Sequence, residues 1–189
     1  ITLETGSSDA VVNYTSGSGG TALTFNYTVS EGHGSSDLDY VSTSALALNS
    51  GSILDASGNS ASLTLASPGA ANSLGANAAL LVDGVLPTVT AVSSTSNNGS
   101  YKFDDTIPIT ITFSEAVTVS GTPQLTLETG LSDAVVNYTS GSGGSTLTFN
   151  YTVLSGHNSS NLDYVSSSAL SLNSGSIADA AGNNATLTL

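Results

Sequence analysis

Residues 3–29 read "LETGSSDAVVNYTSGSGGTALTFNYTV", and residues 127–153 read "LETGLSDAVVNYTSGSGGSTLTFNYTV". The offset is 124 positions, and it holds without a gap from Ile1/Leu125 to Leu65/Leu189. Fourteen of the 65 aligned positions differ, mostly by small swaps such as Ser57/Ala181 or in loops, as at Glu31/Ser155. Self-similarity of this kind restricts the fold more than any local signal, because residues 1–65 and 125–189 must build the same part of one module. The identity extends to the turn "SGSGG" (Ser16–Gly20, Ser140–Gly144), which core packing alone would not preserve. Recent duplication would preserve it, so the chain reads as a slice of a longer tandem array.

Within each copy the period is two. Leu147, Phe149, Tyr151 and Val153 alternate with Thr148, Asn150 and Thr152, the pattern of a half-buried strand. The same reasoning predicts strands at Thr88–Ser94, Ile107–Phe113, Pro123–Thr129, Ala134–Thr139, Ala169–Asn173 and Ala185–Leu189. Clusters of Gly, Ser, Asn, Asp and Pro separate them as turns. Ser67–Leu80 is Ala-rich, but its Gly and Asn residues make it a connector and not a stable helix. About seven short strands per ~100 residues describe an all-β, antiparallel, Greek-key sandwich. An Asp-Gly hinge followed by Pro87 places a boundary near Gly84. Residues 85–189 form one module; residues 1–84 form a partial module, with its first two strands missing and a connector at 66–84.

Composition narrows the partners. One lysine stands against fourteen acids, for a net charge of −13. A single cation, Lys102, cannot neutralise a row of phosphates, so nucleic acid is excluded. A polybasic membrane anchor is excluded for the same reason, and no apolar run of ~20 residues is present to insert into a bilayer. The absence of Cys removes disulfides and thiol chemistry.

The segments "ITFSEAVTVSGTPQLTLETG" (Ile111–Gly130), "LSLNSGSIADAAGNNATLTL" (Leu170–Leu189) and "VDGVLPTVTAV" (Val82–Val92) resemble bacterial immunoglobulin-like repeats, specifically the flagellar/swimming-associated (SWM-type) repeats of giant surface proteins and adhesins. The resemblance covers essentially the whole chain. It implies tandem Ig-like sandwiches outside the cell, often rigidified by calcium, serving as a stalk or adhesive array. It implies no catalytic residues. Asn161 in place of Asp37 shows that the acidic positions are not all retained.

The acids are the candidate metal ligands. Successive turns of an antiparallel sandwich alternate between its poles, which groups Asp104, Asp105, Glu128, Asp133 and Asp163 apart from Glu115 and Asp179. In the first module the far pole holds Glu4, Asp9, Asp37 and Asp39, expected to face the next module across Asp83. Carboxylates gathered at a junction repel unless a cation joins them, and Ca²⁺ accepts six to eight oxygens. The alternative is that they are solvated turn acids that keep the surface soluble. "DASGN" (Asp55–Asn59) and "DAAGN" (Asp179–Asn183) are the sharpest local motifs. Asp and Asn cap the backbone there while Gly supplies a positive φ, a reading favoured over metal ligation, although Asn183 stays with the calcium candidates. Neither motif matches an EF-hand loop.

His33 and His157 lack the partners of a zinc site or a triad and are expected to bond nearby backbone. The tyrosines read as core or corner residues, and no Trp is present to strengthen a sugar-binding platform. No nucleophile, general-base pair or cofactor motif supports catalysis. The leading function is a structural or adhesive stalk module of an extracellular, cell-surface protein, whose partners are neighbouring repeats or identical chains in a fibre. The competing functions are a Ca²⁺-dependent carbohydrate or ice binder, and a non-catalytic appendage of a secreted hydrolase.

Overall fold

A computed structural model describes every residue, Ile1–Leu189, and the chain divides into two units, Ile1–Val85 and Leu86–Leu189. The first is built from short antiparallel pairs. β1 (Thr2–Leu3) pairs with β2 (Ala10–Val11), and β3 (Tyr14–Ser16) with β4 (Thr24–Phe25). β5 (Gly34–Ser35) pairs with β6 (Val82–Asp83), the end of the connector. The connector carries one helical turn, α1 (Leu74–Asn77), where the sequence predicts none. Ser73 explains it: its Oγ accepts the Ala76 N–H at 3.2 Å, an N-cap that sustains a single turn in a helix-poor segment. Leu3, Val12, Leu38, Tyr40 and Val82 form the buried cluster of this unit.

The second unit holds β7 (Val89–Ser94), β8 (Thr106–Ser120), β9 (Gln124–Glu128), β10 (Ala134–Ser140), β11 (Gly144–Thr152), β12 (Asp163–Tyr164), β13 (Leu170–Ser171) and β14 (Ser176–Ala178). The order is β12–β9–β10–β11–β8–β14, with β7 also on β8 and β13 also on β9. Every pairing is antiparallel. The chain is therefore all-β, as its alternation requires.

β8 runs well past the expected end at Phe113. Its first part sets Ile111, Ile109 and Ile107 opposite Leu147, Phe149 and Tyr151 of β11. Its last residues pair with β14, placing Val119 opposite Ile177. β10 is shared in the same way, serving β9 through Ala134–Asn137 and β11 from Tyr138, with a register shift before Ser140. Strands that change partner along their length let the sheet fold over on itself. Ile111, Leu125, Leu127, Leu147, Phe149 and Ile177 are buried inside the fold. Each such side chain contributes about 1.5–3 kcal/mol of transfer free energy.

Two strand expectations need correction. Ala185–Leu189 forms no ladder; the isolated bridge Thr88↔Thr186 and single backbone bonds from the Ala185 N–H to the Ile177 carbonyl and from the Leu189 N–H to the Ser167 carbonyl hold this segment, while Leu187 and Leu189 pack on the core. Ala169–Asn173 shortens to the two residues of β13. β14 carries no alternation of its own, because "SGSIADA" offers only Ile177 as a large apolar anchor. No helix is long and apolar enough to cross a membrane.

Candidate functional site

The two Asp-Gly-Asn turns are built alike. Asp55 Oδ1 accepts the N–H groups of Ser57 at 2.9 Å and Asn59 at 2.8 Å, and Oδ2 accepts from Asn59 Nδ2 at 2.8 Å. Asp179 accepts the Asn183 N–H at 2.8 Å and Asn183 Nδ2 at 2.7 Å. Gly58 and Gly182 take φ values of +86° and +93°, the left-handed region that a side chain disfavours. The hydrogen bonds expected of a turn cap are thus present in both. Their surroundings differ, because Asp179 is buried and Asp55 is exposed. Burial pushes the Asp179 carboxyl up, but the Asn183 amide and the N–H groups of Asn183, Gly182 and Ala181 outweigh it and hold the carboxyl below its ordinary range.

Beside Asp179 lies the half-buried Glu115, and the two offer carboxylate oxygens within 4.8 Å of one another. Glu115 sits on β8 in the register shift of its ladder with β11, between Thr112 and Val117, just before the strand meets β14 at Thr118, and Asp179 directly follows β14. The pairing of β8 with β14 therefore brings them together. Asp83, half-buried on β6, accepts the Val85 N–H at 3.2 Å.

The remaining candidates lie in the first unit and do not gather three carboxylates at ligating distance. Glu4 and Asp9 are exposed, and Glu4 Oε1 accepts the Gly6 N–H at 3.1 Å. Asp37 is exposed, while Asp39 is buried under the connector. Burial raises the Asp39 carboxyl, yet the Gly69 N–H, the Ser73 hydroxyl and the Tyr40 and Gly75 N–H groups together bring it below the ordinary range. Asp39 thus ties the connector to the sandwich, a role that its sequence context did not reveal.

Between the loop after β7 and the loop after β11 lies a cleft of about 700 Å³. Its floor includes Ile107, Ile109, Leu127 and Tyr151, and its rim includes Tyr101, Asn158 and Asp163. Tyr151 Oη meets His157 Nδ1 at 2.9 Å, with the rings stacked at 5.8 Å. Tyr27 and His33 repeat this pair at 2.9 Å and 5.9 Å. The Leu154 N–H reaches His157 Nδ1 at 3.4 Å, so the expected backbone bond is present but secondary to the tyrosine.

Comparison with known protein families matches residues 83–188 to the family described as the bacterial Ig-like domain. The match opens at Asp83 and runs through β14 and the Asp179 turn. No curated protein and no solved structure matches the chain.

Proposed function

Because the chain belongs to the bacterial immunoglobulin-like domain family, we propose that it is a non-catalytic structural or adhesive stretch of a long extracellular bacterial surface protein or filament, assembled from tandem copies. The observation that carries this reading is the gapless 124-residue offset, along which only fourteen of 65 positions differ. Side chains that pack a core account for part of that identity; an exposed turn such as Ser140–Gly144 does not. Arrays that grow by duplication need each copy to contact only its neighbours, which suits a stalk. The SWM-type resemblance of Ile111–Gly130 and Leu170–Leu189 supports the same reading.

Calcium at the module junctions is part of the proposal. Glu115 and Asp179 supply hard oxygen donors in a protein with a single lysine, and like charges brought within 4.8 Å favour a divalent cation between them. The hydrogen bonds from Asn183 fix the orientation of the Asp179 carboxylate. Bound there, Ca²⁺ would tie the end of β14 to β8.

Antibodies raised against residues 86–189 test the surface assignment on intact cells of the source bacterium. Labelling without lysis, lost after brief protease treatment of whole cells, is the expected result. Labelling only after lysis would overturn it.

A further inference from the structure

The two near-identical copies meet different surroundings at one pole. Leu38, Asp39 and Tyr40 are 5%, 8% and 6% exposed. Their counterparts 124 positions later are more open: Leu162 and Tyr164 are half-buried, and Asp163 is exposed. Sequence does not account for the change, since these three residues are the same in both copies.

The connector accounts for it. The Tyr40 hydroxyl donates to the Ala66 carbonyl at 2.8 Å, the Gly69 N–H to Asp39 Oδ2 at 3.0 Å, and the Leu38 N–H to the Leu80 carbonyl at 2.8 Å. β6 adds to β5 in the register Ser35↔Val82 and Gly34↔Asp83. The Gly84 N–H continues the pairing to the His33 carbonyl at 2.7 Å. A β-carbon at Gly84 would collide with the Ser30 carbonyl, so the "VDG" sequence suits this approach. Val82 and Leu74 then pack with Leu3, Leu38 and Tyr27. The counterparts of those three, Leu127, Leu162 and Tyr151, line the open cleft of the second unit.

We infer that this cleft is a docking site for a connector with the chemistry of residues 66–85, the segment that leads on to the next repeat, which adds a strand along Asn158–Ser159 and sets its valine and leucine on Leu162 and Tyr164, above the floor of Leu127 and Tyr151. Specificity comes from the strand pairing and the two apolar anchors, as in β-strand addition elsewhere. Asp163 receives the N–H groups that Gly69 and Gly75 give to Asp39. The substitutions between the copies are compatible with this. A β-carbon at Gly34 meets Val85 Cγ2 at an ordinary 3.7 Å, so Asn158 admits the same strand. Asn161 in place of Asp37 removes one of the two carboxylates that crowd Gly75. The inference rests on the tandem reading above and names the contact by which one repeat would engage the next.

The test titrates the full chain with a synthetic peptide of residues 66–85 and follows backbone amide resonances. A second sample carries the same segment fused after Leu189, in register with the 124-residue offset. Saturable shifts at Ser159, Leu162, Asp163 and Tyr164 are expected. Amide exchange at Leu162 should slow by about tenfold or more in the fused chain. A peptide carrying Val82→Asp should not bind. The inference is overturned if neither sample protects Leu162, if the shifts fall only on 33–40 through exchange with the resident connector, or if the Val82→Asp peptide binds equally. None of these failures touches the surface array, which cell labelling tests separately.

Discussion

Leu23 and Leu147 hold the same place in two stretches of nearly the same sequence, yet Leu147 is 0% exposed and Leu23 is 37% exposed. Leu147 faces Ile111 of β8 across the ladder, whereas residues 1–65 contain no counterpart of β7 or β8. A leucine without a facing strand contributes little burial. Leu147→Ala should therefore lower the stability of the second unit by about 2–5 kcal/mol, the range for emptying a packed core site. Leu23→Ala should cost under about 1 kcal/mol, close to a surface substitution. Urea unfolding of the two variants checks the difference, and equal losses would contradict it.

The same relationship predicts what restores the first unit. Residues 1–84 expressed alone should aggregate or unfold without cooperativity, because Leu23, Phe25 and Tyr27 face an open edge. Grafting residues 86–124 ahead of Ile1 reproduces the register of the second unit, with isoleucines returned opposite Leu23, Phe25 and Tyr27. That chimera should melt cooperatively as a monomer. A soluble, cooperatively melting 1–84 fragment would refute the open-edge argument.

The alternation of "TLTFNYT" was enough to place β11, because each inward residue is large and each outward one polar. The extension of β8 through Glu115 was not legible, since a carboxylate in mid-strand reads as a turn until its partner strand is known. Ala185–Leu189 failed for the opposite reason: its alternation reflects packing on the core, and no neighbouring backbone completes a ladder. At the site, the capping of Asp179 followed from local spacing. Its proximity to Glu115 depends on β8 meeting β14, a pairing about sixty residues apart along the chain that no local pattern encodes. The hold of Asp39 on the connector was not legible, because its partners, Gly69 and Ser73, come from a segment with no periodic signal.

Asp179 gives the fold an acid limb. Its carboxyl is held below the ordinary range in the folded state, so the unfolded chain takes up the proton first as pH falls. The stabilisation is fully present above the unfolded value near pH 4 and is lost progressively as pH drops toward the folded one. Asp179→Asn should cost about 1–3 kcal/mol at pH 7, the range for hydrogen bonds to a buried charged group. The gap between wild type and variant should narrow on acidification below about pH 4. The exposed Asp55 should show a smaller loss when changed to Asn. Stability curves from pH 7 downward check both, and a gap at Asp179 that stays constant with pH would contradict the assignment.

Calcium separates the two roles of this corner. If Ca²⁺ bridges Glu115 and Asp179, it binds the folded form alone and raises stability by mass action, by about 2.7 kcal/mol at a hundredfold excess over Kd. Glu115→Gln is the cleaner probe, because Asp179 also caps its own turn and its loss mixes both effects. On adding calcium, wild type should rise in melting temperature and the variant should not. Asp9→Asn, at an exposed turn of the first unit, should leave the response intact. Calorimetry with calcium and with a chelator decides the matter. An identical melting temperature in both for wild type would remove calcium from this corner and leave Glu115 as a half-buried acid beside the buried, hydrogen-bonded turn of Asp179.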